Sequence, residues 1–129
     1  MDANQKRRDE KLLFVTANNN REQLEELTRL LLFAFPGSVV YQYTDPIHVP
    51  RIVFENKVNA VFVEMKMEKL GGMELEQILH RKKPELPVFL LSDTGEESGI
   101  PAGNQTTVRL ARPVSAEKLR ECLGRKKGV

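Results

Sequence analysis

Five short apolar runs alternate along the chain with segments of helical periodicity. The runs lie at 12–15, 39–43, 60–63, 88–91 and 108–111. Runs of four or five residues without polar alternation are typical of strands that are covered on both faces, which indicates a parallel sheet. The second run, with Gln42 between two tyrosines, is more mixed and is predicted to lie nearer a sheet edge.

Apolar residues at helical spacing predict helices between the strands, over 21–35, 46–56, 73–83 and 115–124. Either Asn19 or Asn20 can cap the first helix. The regular part of the second is predicted to begin at Pro50, because proline is tolerated in a first turn but not in a helix interior. Ser115 is the predicted cap of the last helix, and Gly124 is its predicted end.

The alternation of strands and helices predicts an α/β fold, a doubly wound three-layer sandwich with right-handed crossovers. Between the fourth and fifth strands, segment 93–107 is rich in glycine and almost free of apolar residues, so we expect loop there with a reduced or irregular helix. Ligand sites in such folds lie outside the carboxyl ends of the strands. This rule selects Thr16, Ala17, Asn18, Glu64, Ser92 and Arg112.

Composition narrows the class of protein. A chain of 129 residues with 40% hydrophobic and 29% charged residues is typical of one soluble globular domain. The net charge of +2 is too small to argue for nucleic-acid binding. We expect a domain over 11–124, between a flexible tail at 1–10 and a basic tail or linker start at 125–129. A single cysteine, Cys122, and no apolar run long enough for a membrane span favour a cytoplasmic protein.

Four segments carry a resemblance to a known family. KLLFVTANN, NAVFVEMKMEKLGGMEL, LPVFLLSD and ARPVSAEKL follow one another in the order and spacing of its first, third, fourth and fifth strands. They resemble the CheY-like receiver domain of two-component response regulators over about residues 11–124. The resemblance implies a flavodoxin-like, five-stranded parallel sheet with strand order 2-1-3-4-5.

The resemblance also implies a role for each selected position. Glu64 occupies the place of the phospho-accepting aspartate, and Thr16 and Ala17 replace the acidic pair that helps to hold Mg²⁺. Ser92 and Arg109 stand at the two switch positions, of which the second is usually aromatic. Arg112 replaces a lysine, and Pro113 is a candidate for a cis peptide bond. With neither acidic residue present, we expect no metal, no cofactor and no enzymatic activity.

Three interpretations of Glu64 stay open. Its longer side chain can imitate a phosphorylated aspartate, paired with Arg112 and hydrogen-bonded by Ser92. It can instead be a structural partner of Arg112 in a disused pocket, or it can still accept phosphate. His48 and His80 have no partner at metal-ligand spacing, so no metal site is predicted there.

The sequence therefore predicts a degenerate receiver that acts through phosphorylation-independent contact with a protein partner or an output module, for example one that regulates transcription. A homodimer through the face of the fourth helix, fifth strand and last helix, near Arg109 and Lys118, is a further expectation. One alternative is a receiver that accepts phosphate from a histidine kinase. Another is a nucleic-acid adaptor that uses the basic tails.

Overall fold

The computed structural model describes residues 11–93 and 106–126. Within them the strands are β1 (Leu13–Ala17), β2 (Val39–Tyr43), β3 (Ala60–Glu64), β4 (Val88–Ser92) and β5 (Thr107–Ala111). The α-helices are α1 (Arg21–Ala34), α2 (Val49–Glu55), α3 (Gly72–Lys82) and α4 (Ala116–Lys126), and a 3₁₀ turn (Pro46–His48) precedes α2. The irregular helix predicted between β4 and β5 lies almost wholly outside the described residues, as do the tail at 1–10 and residues 127–129.

The five strands form one parallel sheet in the order β2-β1-β3-β4-β5. The predicted parallel sheet and its strand order are confirmed. β2 is an edge strand whose Tyr41 and Gln42 are exposed, whereas the first four residues of β3 are fully buried. The mixed pattern of β2 and the apolar pattern of β3 therefore follow from their positions in the sheet.

Alternate strand residues supply two separate cores, because successive side chains of a strand point to opposite faces of the sheet. Phe62 belongs to the core on one face, where α1 and α4 contribute Leu31 and Leu119. Val61 and Val63 belong to the core on the other face, beneath α2 and α3. This arrangement is the three-layer sandwich that the sequence predicts.

The helix boundaries agree with most of the predicted capping residues. Asn20 is the cap of α1, since its Oδ1 accepts a hydrogen bond from the Gln23 backbone at 3.0 Å. Pro50 lies in the first turn of α2, and Ser115 Oγ accepts a hydrogen bond from the Lys118 backbone at 3.1 Å. The predicted end of the last helix at Gly124 is wrong, because α4 continues to Lys126. A single glycine weakens a helix by only about 1 kcal/mol, which flanking residues can offset.

The prediction from the sequence that His80 has no partner at ligand spacing is also wrong, since a carboxylate lies beside it. Glu76 precedes it by one helical turn on α3, and His80 Nδ1 lies 3.4 Å from Glu76 Oε1. Thr107 of β5 donates a hydrogen bond to the other oxygen of Glu76 at 3.2 Å, and His80 Nε2 donates to the Leu86 carbonyl at 2.7 Å. These buried polar groups join α3 to β5 and satisfy one another's hydrogen bonds.

Candidate functional site

The carboxyl ends of β1, β3, β4 and β5 meet at one edge of the sheet and bring the selected residues together. Glu64 is the last residue of β3 and lies opposite Leu91 of β4. The Arg112 backbone donates a hydrogen bond to the Ser92 carbonyl at 2.9 Å. Backbone pairing of the sheet thus places a carboxylate and a guanidinium, 48 residues apart in the chain, side by side.

Glu64 and Arg112 form a bidentate ion pair. Arg112 Nη1 donates to Glu64 Oε2 at 3.1 Å, and Nη2 donates to Oε1 at 2.5 Å. The side chains are only 20% exposed for Arg112 and 13% for Glu64. Arg112 Nη1 also reaches Asp93 Oδ1 at 3.1 Å, although that carboxylate is 74% exposed. A planar guanidinium matches a carboxylate in this two-bond geometry, and such charge-assisted bonds are stronger than neutral ones.

The surroundings of Arg112 keep it charged. Burial acts to lower the pKa of its guanidinium, but the hydrogen bonds and negative charge of Glu64, together with those of Asp93, raise that pKa above its ordinary value. The side chain is therefore a permanent cation, and the ion pair persists as long as Glu64 is ionised.

Asn18 supplies a further hydrogen bond to the pair. It is buried, and its Nδ2 donates to Gln23 Oε1 at 3.0 Å and to Glu64 Oε1 at 3.4 Å. Its Oδ1 accepts from the Asn20 backbone at 2.9 Å. Both oxygens of Glu64 consequently have donors, supplied by a cation and a neutral amide.

Asn19 joins the loop that follows β3 to the ends of β1 and β2. Its Oδ1 accepts from the Glu68 backbone at 2.7 Å, and its Nδ2 donates to the Thr44 carbonyl at 2.9 Å. In the same region Lys69 Nζ lies 3.0 Å from Asp45 Oδ2. The sequence selects Asn18 as a site position and Asn19 as a possible helix cap, and it does not predict these bridging contacts. A run of three consecutive asparagines at the carboxyl end of a strand is the sequence feature that could have indicated these contacts.

Gly72 allows α3 to begin directly against the end of β3. A Cβ at this position would lie 2.5 Å from the Glu64 carbonyl oxygen and 3.0 Å from Met65 Cα, both in the backbone. The Gly72 N–H donates to the Met65 carbonyl at 3.0 Å. The structure therefore requires a glycine at position 72 for close approach of the backbone.

The remaining predicted positions differ in their relation to the ion pair. Thr16 and Ala17 are buried, and the Thr16 hydroxyl donates to the Tyr41 carbonyl at 3.3 Å. The hydrogen bond expected from Ser92 to Glu64 is absent, since Ser92 Oγ has no partner among the described residues. Arg109 lies elsewhere, with Nη2 4.0 Å from Met73 Sδ. The peptide bond between Arg112 and Pro113 is cis.

Several solved structures of similar architecture are named receiver domains. A response regulator receiver domain protein from Clostridium thermocellum matches with a TM-score of 0.73 at 21% identity, over 91% of this chain and 94% of that one. A response regulator receiver protein from Sinorhizobium medicae matches with a TM-score of 0.78 at 13% identity, over 93% and 97%. The chain has the fold of a response-regulator receiver domain.

A third receiver shows the contrast at the site. The receiver domain of a sensor histidine kinase from Pseudomonas aeruginosa, with a magnesium ion coordinated in its active-site cleft, matches with a TM-score of 0.76 at 15% identity, over 93% of this chain and 100% of that one. In the described part of the present chain, no group of three or more His, Cys, Asp and Glu side chains is placed to hold a metal.

Sequence comparison adds one curated relative. Stress response regulator protein 1 of Lodderomyces elongisporus is 25% identical over 97 residues, which are 74% of this chain. The chain spans about a quarter of that relative's length, since the match covers 27% of it. No family model matches the chain. Among the helices of residues 11–93 and 106–126, none is both long and apolar enough to span a bilayer.

Proposed function

We propose that this chain is a receiver-like signalling domain that acts by contact with a protein partner, without being phosphorylated. The observation that carries the proposal is the bidentate ion pair between Glu64 and Arg112. The resemblance to receivers implies that Glu64 stands at the position of their phospho-accepting aspartate. A carboxylate engaged by a bidentate guanidinium and an amide is a poor nucleophile, because those donors stabilise its ground state.

The surroundings of Glu64 also disfavour metal-assisted phosphoryl transfer. Mg²⁺ is generally held by one or two carboxylates together with phosphate oxygens. The acidic-pair positions, Thr16 and Ala17, are buried and carry no carboxylate. Asn18 directs its amide donors at Gln23 and Glu64. A divalent cation beside Glu64 would therefore compete with Arg112 for a carboxylate that the guanidinium already holds by two hydrogen bonds.

We propose that the ion pair and the two asparagines hold the ends of β1, β3 and β5 in one arrangement. Arg112 fixes the end of β3 against the segment after β5. Asn19 fixes the loop after β3 through the Glu68 backbone. In this interpretation Glu64 is a permanent negative charge, so the surface presented to a partner does not depend on a phosphodonor.

Treatment with a phosphodonor tests the proposal. The chain is incubated with acetyl phosphate, and separately with beryllofluoride, each with Mg²⁺, and is followed by intact mass spectrometry and ¹H–¹⁵N NMR. A receiver domain that retains its acidic pair is the positive control. We expect no mass increase and no Mg²⁺-dependent shift of the Glu64 and Arg112 resonances. A phosphorylated Glu64, or Mg²⁺ binding as tight as in the control, would overturn the proposal in favour of a receiver that accepts phosphate from a histidine kinase.

The proposed partner is an output module, either attached to this chain or separate. The curated relative is much longer than the matched region and is named a stress response regulator, which supports placing the chain in a signalling protein. Co-purification of the chain with a defined candidate output domain, before and after mutation of Arg109 or Lys118, tests whether this face takes part. Analytical ultracentrifugation tests whether the same face forms a homodimer.

The nucleic-acid alternative remains a prediction. It depends on the basic clusters at 6–8 and 125–127, whose side chains lie outside the part of the chain that the structure describes. If it holds, binding to DNA or RNA falls steeply with salt and disappears when residues 1–10 and 125–129 are removed.

A further inference from the structure

An open cavity of about 430 Å³ lies between α1 and the carboxyl ends of β4 and β5. Its apolar lining comes from three elements of the fold and consists of Leu27, Leu30, Leu91, Pro113 and Val114. Leu27 and Leu91 are buried beneath it. Small-molecule sites in proteins are commonly concave, of about 300–1,000 Å³, and mostly apolar with a few polar groups at fixed places. The cavity fits that description in size and in lining.

The polar part of the described lining consists of Gln23, Glu26, Asp93 and Arg112. Glu26 of α1 and Asp93 after β4 contribute carboxylates, and Arg112 contributes the one cation found among the described lining residues. Arg112 is already paired with both Glu64 and Asp93. Glu26 forms no ion pair with any residue in 11–93 or 106–126. The described lining thus carries two carboxylates and one guanidinium. Because that guanidinium is also paired with Glu64, the net charge at the cavity is negative, which favours a cation over an anion.

We propose that the cavity binds a small organic cation with an apolar body and one protonated amine. The apolar body would lie against Leu27, Leu30 and Val114, and the ammonium group would lie near Glu26 and Asp93. This inference goes beyond the proposed function, because such binding does not depend on whether Glu64 is phosphorylated.

The cavity is also connected to the ion pair of the candidate site. Arg112 lines the cavity and holds Glu64, and Gln23 lines the cavity and accepts a hydrogen bond from Asn18. An ammonium group beside Asp93 competes with Arg112 for that exposed carboxylate. A bound cation would thereby alter the surroundings of Arg112 without requiring a phosphoryl group.

Three probes of equal shape and different charge test the proposal: 4-phenylbutylamine, 4-phenylbutan-1-ol and 4-phenylbutyrate. Each is titrated into the ¹⁵N-labelled full chain at constant ionic strength and followed by ¹H–¹⁵N NMR. A fragment of this size binds with a Kd on the order of 0.1 to 5 mM when it is well accommodated. We expect saturable shifts with the amine at the backbone amides of Leu27, Leu30 and Val114. We expect binding at least roughly threefold weaker for the alcohol and weaker still for the carboxylate.

Two single-charge variants of α1 provide the matched comparison. Glu26→Gln removes the carboxylate that lines the cavity, and Glu25→Gln removes an exposed carboxylate next to it that does not. Glu26→Gln is expected to weaken amine binding about threefold to fivefold, whereas Glu25→Gln leaves it within about 1.5-fold of the parent chain. Both substitutions are at exposed positions, and the NMR spectrum verifies the fold in each case.

Several outcomes would overturn the proposal. One is the absence of saturable shifts with the amine up to 10 mM, on the order of the weakest affinity expected for such a fragment. Others are equal binding of all three probes, preference for the carboxylate, or an equal effect of the two variants. Concentration-dependent dimerisation that protects the amides of Leu27, Leu30 and Val114 would also overturn it, because it would mean that a second copy of the chain occupies the cavity.

Discussion

Replacement of Arg112 by methionine tests whether the ion pair contributes to stability. Methionine preserves much of the side-chain length while removing the charge and all five N–H donors. In the parent chain the Glu64 side chain is only 13% exposed. In the variant its carboxylate keeps the Asn18 amide, 3.4 Å away in the parent chain, as a side-chain donor. The substitution therefore leaves a largely buried negative charge without its cation.

The magnitude follows from the burial of the pair. Exposed ion pairs contribute about 0.2–1 kcal/mol, whereas removal of one partner from a fully buried pair costs about 3–5 kcal/mol. Glu64 and Arg112 lie between these limits but nearer the buried one, with 13% and 20% exposure. We expect Arg112→Met to lower the free energy of unfolding by about 2–3 kcal/mol, which corresponds to a fall in Tm of roughly 10 °C for a domain of this size.

A double-mutant cycle with Glu64→Gln and Arg112→Met, measured by urea unfolding, isolates the pairwise part of this effect. The double variant has no largely buried charge without a partner, since Asp93, which also loses Arg112, is 74% exposed. It should therefore be no less stable than Arg112→Met alone, with a coupling energy of about 1–2 kcal/mol. Arg51→Met is the control. Arg51 pairs with Glu55 at 3.4 Å on the surface, with side chains 81% and 61% exposed, and its loss should cost less than about 0.5 kcal/mol.

Two results would refute the reasoning. The first is an Arg112→Met variant as stable as the Arg51→Met control. The second is a coupling energy below about 0.5 kcal/mol, since that is the lower limit observed for residues in direct contact. Either result would mean that the ion pair is in effect solvated, and that Arg112 does not hold Glu64 in place.

Three other substitutions test further contacts. Gly72→Ala should destabilise the domain by about 2 kcal/mol or more in urea unfolding, because the new Cβ would lie 2.5 Å from a backbone oxygen. Gly124→Ala is the control: a Cβ there has no atom within 4 Å, so it should stabilise α4 by about 0.5–1 kcal/mol in the same assay. Lys83→Met should cost about 1–2 kcal/mol in the same assay, because Nζ donates to two carbonyls at the end of α2 at 2.7 and 3.0 Å. The Asp45 carboxyl should titrate below its ordinary pKa by ¹³C NMR, because it accepts a hydrogen bond from the Ile47 backbone and is also paired with Lys69. Lys69→Met should raise this pKa toward its ordinary value without fully restoring it, because the backbone hydrogen bond remains.

The lowered pKa of Asp45 also determines how this carboxylate affects stability as the pH changes. A pKa that is lower in the folded chain means that the carboxylate contributes stability above its ordinary pKa, and that this contribution is lost as the pH falls through the folded value. An Asp45 pKa in Lys69→Met equal to that of the unfolded chain would contradict the contribution of the Ile47 backbone hydrogen bond.

Equal stabilities of Gly72→Ala and Gly124→Ala would show that α3 can move away from β3. An unchanged Lys83→Met variant would mean that solvent replaces both hydrogen bonds without loss.

Local patterns were sufficient to predict most of the elements. Apolar runs identified the five strands because burial on both faces excludes polar alternation, and the mixed run of β2 matched its place at the edge of the sheet. Asn20, Pro50 and Ser115 marked helix starts because capping depends on residues only a few positions apart. The end of α4 was mispredicted at Gly124 because a weak local preference does not by itself terminate a helix.

The candidate site was predictable in its positions and less so in its contacts. The end of a buried strand can be located from the sequence pattern, and the ends of parallel strands lie at one edge of the sheet. The sequence alone therefore predicts that Glu64 and Arg112 are neighbours. The hydrogen bonds of the site depend on side-chain directions and on loops from different parts of the chain. Ser92 therefore does not reach Glu64, whereas Asn18 does.

The sequence by itself determined the layered α/β architecture, because hydrophobic periodicity is a property of consecutive residues. Only the tertiary structure decided which polar groups meet. Asn19 reaches the Glu68 backbone 49 residues away, and Gly72 is required because a helix start lies against the end of a strand. Contacts of this kind arise from the packing of whole elements, at a precision of a few tenths of an ångström that residue spacing does not encode.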